Sequence, residues 1–108
     1  MRGGNEVVQK NPFMVFKAEA PQVAEAFDGL IQAVSSSGGM DTKTRQLIYV
    51  GIKASQGDAL AVAAHVPMAK AAGASREEVR DAVLISLTVS GVQGVVHCLV
   101  PALEAYEN

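Results

Sequence analysis

The chain has a single cysteine, Cys98, which excludes any disulfide within one subunit and any dithiol redox pair. Aromatic residues are only 5% of the 108 positions, so the 49% that are apolar are mostly small and aliphatic. No excess of positive charge exists: nine Lys and Arg against eleven Asp and Glu leave a net charge of −2. With the two signs interspersed, there is no basic field to hold nucleic acid or anionic lipid, and neither is expected as a partner. No apolar run reaches the roughly 18 to 20 residues of a spanning helix, and the first fifteen residues lack a signal-peptide core, so the expected compartment is the cytoplasm. Strand-length alternation and solenoid-length repeats are absent, and the glycines form no phosphate-binding pattern after a strand.

What is present is helical. A chain of this length is expected to form one domain, here over residues 11–108 behind a flexible arm over residues 1–10, where two glycines and little periodicity occur. Asn11-Pro12 reads as a cap followed by a first-turn proline. Pro21 opens a second helix with Val23, Phe27, Leu30, Ile31 and Val34 on one face, and Asp41 caps a third from Thr42 to about Ser55. The interior of that third helix, Leu47 to Ile52, is apolar on nearly every side, which predicts a central position. A fifth helix capped by Ser75 carries two apolar stripes, one with Val79, Val83 and Leu87 and one with Ala82, Ile85 and Val89. One stripe suits the core and the other a partner subunit. A last helical run to Leu103 contains Pro101, which predicts a kink. The expected fold is all-α, with about five to six helices. So much small apolar surface on a short chain predicts a homo-oligomer.

The stretch Gln56 to Val79, QGDALAVAAHVPMAKAAGASREEV, sets His65 on an Ala-rich helix from Asp58 to Ala72. It stops at Gly73 and restarts at Ser75, with Glu78 in capping-box spacing. A lone imidazole among small side chains is either a core histidine satisfied by a backbone carbonyl or an acid/base residue near neutral pKa. Pro67 removes the hydrogen bond to the Ala63 carbonyl and leaves an acceptor beside His65. His97 and Cys98 are adjacent and diverge by about 100° on a helix, so they do not readily share one metal ion with His65. No metal site is expected, and Cys98 reads as a buried small hydrophobe.

Taken together, MDTKTRQLI, then the His65 stretch, then GVQGVVHCLVPAL resemble the carboxymuconolactone decarboxylase and alkylhydroperoxidase D-like family from about Phe13 to the C-terminus. The resemblance implies an all-helical subunit assembling as a trimer or hexamer, with a site built on the two central helices and a neighbouring chain. It carries His65 over as the site histidine. The redox branch has a C-x-x-C pair and an acidic residue on the preceding helix; here Asp58 and Ala61 stand at the cysteine positions and Gln46 at the acidic one. Without an attacking thiolate and a resolving thiol, the dithiol peroxidase route is excluded. The decarboxylase branch also lacks the thiols and keeps the histidine.

Two functions from different classes follow. The first is a non-redox acid/base enzyme, decarboxylase-like, on small carboxylated or lactone compounds. His65 would be the catalytic proton donor or acceptor; Gln46, Lys53, Asp58 and His97 are candidate substrate-binding residues, with Arg45 an alternative cation. No cofactor is expected. Asp58 also reads as a helix cap, Gln46 as a structural hydrogen-bond partner and Lys53 as an exposed ion-pair partner. The second is a non-catalytic oligomeric binding protein on the same scaffold. Peroxidase-type antioxidant activity ranks behind both.

Overall fold

The computed structural model describes residues 11–108; the expected arm over residues 1–10 lies outside the described residues. Every regular element among the described residues is helical. The chain divides into two compact units, the first ending at Gly38 and the second running Gly39–Asn108.

In the first unit, α1 spans Pro12–Glu19 and α2 Pro21–Ser35. Asn11 Oδ1 accepts the Phe13 N–H at 2.9 Å, which satisfies one of the donors that a helix start leaves free. Phe16 and Phe27 join the two helices edge to face, with ring centroids 6.0 Å apart. Along α2 only Ala24 is buried, while Val23, Leu30, Ile31 and Val34 of the apolar stripe are exposed.

The second unit holds α3 (Thr42–Ser55), α4 (Ala59–Ala71), α5 (Arg76–Leu84), α6 (Leu87–Ser90), a π turn over Val95–Leu99 and α7 (Val100–Glu107). The starts of α3, α4 and α5 are those the capping residues dictate. Asp41 Oδ1 accepts the Thr44 N–H at 2.7 Å, and Asp58 Oδ1 accepts the Ala61 N–H at 3.0 Å. Ser75 and Glu78 form a reciprocal box: Ser75 Oγ accepts the Glu78 N–H at 3.0 Å and Glu78 Oε1 accepts the Ser75 N–H at 2.9 Å. The turn between α3 and α4 passes through Gly57 at φ +70°, a left-handed conformation that costs glycine nothing sterically.

α3 packs against both α4 and α5, and α4 packs against α7. Val50 and Ala54 of α3, Val62, Val66 and Ala69 of α4, Val79 and Val83 of α5, Cys98 and Ala102 form the buried core. These side chains are small, so the helices approach closely. The limit is reached at Gly94, where a Cβ would lie 2.8 Å from the Ala54 carbonyl oxygen and closer still to Ser86 Oγ.

Two elements differ from the sequence expectation. The fifth helix ends at Leu84, because Ile85 and Ser86 form a turn before α6; Ser86 is buried there and its hydroxyl donates to the Val83 carbonyl at 2.6 Å. In the last run the disturbance caused by Pro101 appears as the π turn just before it, with Pro101 in the first turn of α7. Proline offers no N–H to the His97 carbonyl and crowds it; a turn widened by one residue relieves the conflict. Among the described residues no helix is long and apolar enough to cross a membrane.

Candidate functional site

Gln46, Tyr49 and Lys53 stand three and seven residues apart on α3, which sets them along one face. That face meets α4 at His65. His65 Nδ1 lies 3.0 Å from Gln46 Oε1. An amide oxygen only accepts, so this pairing keeps a proton on Nδ1 and leaves Nε2 as the basic nitrogen. The Tyr49 ring packs on the imidazole, with centroids 5.1 Å apart and planes inclined by 49°. His65 is half-buried, and its neighbours on α4 are alanines and Val66.

The electrostatics favour the neutral ring. Burial pushes the His65 pKa below its ordinary 6.5, and the Lys53 ammonium pushes it in the same direction. Gln46 carries no charge to oppose them. A carboxylate at that position would favour the imidazolium, which the amide does not.

The other candidates gather around the α3–α4 turn. Lys53 Nζ donates to Gln56 Oε1 at 3.2 Å and lies 4.0 Å from Asp58 Oδ2, a half-exposed pair too loose to fix the ammonium. Asp58 is the α4 cap. His97 is exposed, and its Cδ2 lies 3.5 Å from where a Cβ on Gly57 would be, so its ring sits over the turn. Gln93 Nε2 closes the same region by donating to the Ser55 carbonyl at 2.7 Å. Among the described residues no hydrogen bond joins Asp58 or His97 to His65. Arg45 donates to the Met40 carbonyl at 3.2 Å. Cys98 is buried, and burial together with the Asp58 charge raises its thiol pKa, away from reactivity. No group of three or more His, Cys, Asp or Glu that could hold a metal ion occurs among the described residues.

Thus the fold brings Gln46 to His65, keeps Lys53 within electrostatic reach and leaves Asp58 and His97 at the adjoining turn. Tyr49 is the site residue that sequence reasoning missed; its three-residue offset from Gln46 was the available signal. α4 runs unbroken through Pro67 to Ala71.

A second feature lies elsewhere. A groove of about 780 Å³ runs between α3, α5 and α6, lined by the α3 face that carries Ile48, Gly51 and Ile52 and by Ala82, Ile85 and Val89. At 100° per residue this α3 face is opposite that of Gln46 and Tyr49, and none of Gln46, Tyr49, Lys53 or His65 lines the groove.

Residues 21–104 match the model of the Carboxymuconolactone decarboxylase family. The structure is similar to the crystal structure of the apo form of a carboxymuconolactone decarboxylase family protein from Legionella pneumophila, with a TM-score of 0.78 at 25% identity, covering 89% of this chain and 85% of that one. No curated protein matches the chain. A family match over well more than half of the sequence, on the all-helical fold that its caps and periodicity dictate, shows that the chain belongs to the carboxymuconolactone decarboxylase family.

Proposed function

We propose that the protein is a non-redox acid/base enzyme of decarboxylase type acting on small carboxylated or lactone compounds, with His65 as the proton-transfer residue. The observation that carries this reading is the 3.0 Å contact between His65 Nδ1 and Gln46 Oε1, which orients the ring and leaves Nε2 free to exchange a proton. Tyr49 and Gln46 hold the imidazole; Lys53, loosely engaged at the turn, is the cation for a substrate carboxylate. The electrostatics support the sequence of events. A bound carboxylate offsets the Lys53 charge, one of the two causes that keep His65 neutral, so the ring gains proton affinity when substrate arrives. The imidazolium then protonates the carbanion left by loss of CO₂, and Nε2 is basic again.

The alternative is a non-catalytic binding protein on the family scaffold. It draws support from the same contacts read structurally, since a histidine bonded to Gln46 and stacked on Tyr49 is also a satisfied packing residue. His65→Ala separates the two. In the enzyme reading the variant stays folded, and the parent shows melting-temperature shifts with members of a panel of small carboxylic acids and lactones that the variant loses. A stability loss of about 1 to 3 kcal/mol, the cost of a cavity and an orphaned partner, with no compound shifting the parent, would leave the scaffold reading ahead.

A further inference from the structure

The chain has two tyrosines, and their hydroxyls are used differently. Tyr106 Oη donates to the Ala74 carbonyl at 2.8 Å, which ties α7 to the turn before α5. Tyr49 packs its ring on the His65 imidazole, and among the described residues its Oη makes no hydrogen bond to the protein. Stacking alone needs only the ring, and the hydroxyl of a packed tyrosine usually has a partner. Tyr49 is half-buried, so its hydroxyl is a donor held against the reactive ring and still within reach of a ligand.

Decarboxylation creates a need for such a donor. When the C–C bond to the carboxyl group breaks, CO₂ leaves and the electron pair of the bond spreads onto the neighbouring carbonyl oxygen as an enolate, whose charge a fixed hydrogen-bond donor stabilises. The other polar groups of the site are engaged elsewhere. At the turn, Gln56 Oε1 and the Asp58 carboxylate are acceptors that meet the Lys53 ammonium. Gln46 is bonded at Nδ1 of His65, and the two ring nitrogens project in nearly opposite directions, so its amide lies away from the proton-transfer side. Tyr49 stands between Gln46 and Lys53 on α3, with rises of about 4.5 and 6 Å to either side. A substrate held at Lys53 and reacting at His65 therefore passes it.

We propose that Tyr49 is a further catalytic residue, whose hydroxyl donates a hydrogen bond to the enolate oxygen formed as CO₂ leaves. The assignment rests on the reading of His65 as the proton-transfer residue. No proton passes through the phenol. The His65 imidazolium delivers its proton to the carbanion carbon, the carbonyl re-forms, and the hydrogen bond from Tyr49 weakens as the charge on oxygen disappears. Because that bond is strongest while the charge is present, it lowers the barrier instead of tightening substrate binding alone. The stacking contact serves the same end, since it fixes the phenol relative to the ring that delivers the proton.

Isothermal titration calorimetry of the full chain at neutral pH tests this with three probes. Tetronate is a lactone whose enolate resembles the charged intermediate, butenolide is the same ring without the charge, and butanoate is a simple carboxylate. The parent should bind tetronate more tightly than butanoate, and butenolide most weakly. Tyr49→Phe removes only the hydroxyl, so it should keep the melting temperature and butanoate affinity of the parent while weakening tetronate by roughly tenfold or more. No loss of tetronate affinity in Tyr49→Phe, or an equal loss for tetronate and butanoate, would overturn the assignment and leave the His65 reading standing. A parent that binds butanoate but not tetronate would do the same. A parent that binds none of the three would also overturn the role of Tyr49, and the comparison of His65→Ala with the parent across the wider panel of acids and lactones decides the His65 reading separately.

Discussion

Replacing Gly94 with alanine adds one methyl group at the most crowded glycine among the described residues. The new Cβ would stand 2.8 Å from the Ala54 carbonyl oxygen and would collide with Ser86 Oγ. The two obstacles differ: the hydroxyl belongs to a side chain, whereas the carbonyl belongs to α3 and cannot rotate away. Overpacking of this kind costs typically about 1 to 3 kcal/mol, and a backbone obstacle places the cost at the upper end. Alanine in place of glycine returns up to about 1 kcal/mol of helix propensity, so the net loss should be close to 2 kcal/mol. Urea denaturation followed by circular dichroism, at one fixed protein concentration because the sequence predicts a homo-oligomer, reads this as a lower midpoint at unchanged slope. Ser86→Ala alone should lose about 1 kcal/mol with its buried hydrogen bond to Val83. In the double variant the alanine at 94 should cost about half of what it costs in the parent, because the hydroxyl has gone and the carbonyl remains. Gly94→Ala at or above the stability of the parent would refute the close approach, and strict additivity would show that Ser86 is not the neighbour that resists.

Two more outcomes follow from the site. An NMR titration of the His65 ring should give a midpoint below 6.5, and Lys53→Gln should move it upward only partway, because burial is the larger cause; a midpoint at or above 6.5 in the parent would sink the neutral-base reading. Since the folded pKa is the depressed one, the unfolded chain takes up this proton first as pH falls below 6.5. His65 therefore contributes a loss of stability on acidification that grows down to the folded pKa, and His65→Gln should flatten this part of the melting-temperature profile. With one buried cysteine in the chain, organic hydroperoxides should not be turned over with a dithiol reductant; steady turnover abolished by Cys98→Ser would reveal a one-thiol route.

The sequence by itself determined the helical class, the starts of α1, α3, α4 and α5, and the family. Asn11, Asp41, Asp58 and the Ser75–Glu78 box act within one turn of the chain, so their effect is readable without knowing any distant neighbour. The absence of a second thiol is equally local, since it is read directly from the residues. His65 and Gln46 were legible as family positions, but their 3.0 Å contact depends on how α3 crosses α4. The tertiary structure alone added Tyr49 to that pair, and it separated Asp58 and His97 from the ring by placing them at the α3–α4 turn. It also decided the form of the disturbance at Pro101, since a proline dictates that a hydrogen bond is lost and the packing around buried Cys98 and Ala102 dictates how the chain absorbs the loss. The apolar run of α3 shows the same division. Periodicity marked Leu47 to Ile52 as apolar all round, yet only packing against α4 and α5 buries Val50 and leaves Ile48 and Ile52 on the groove, because which face of a helix is covered is a property of its neighbours.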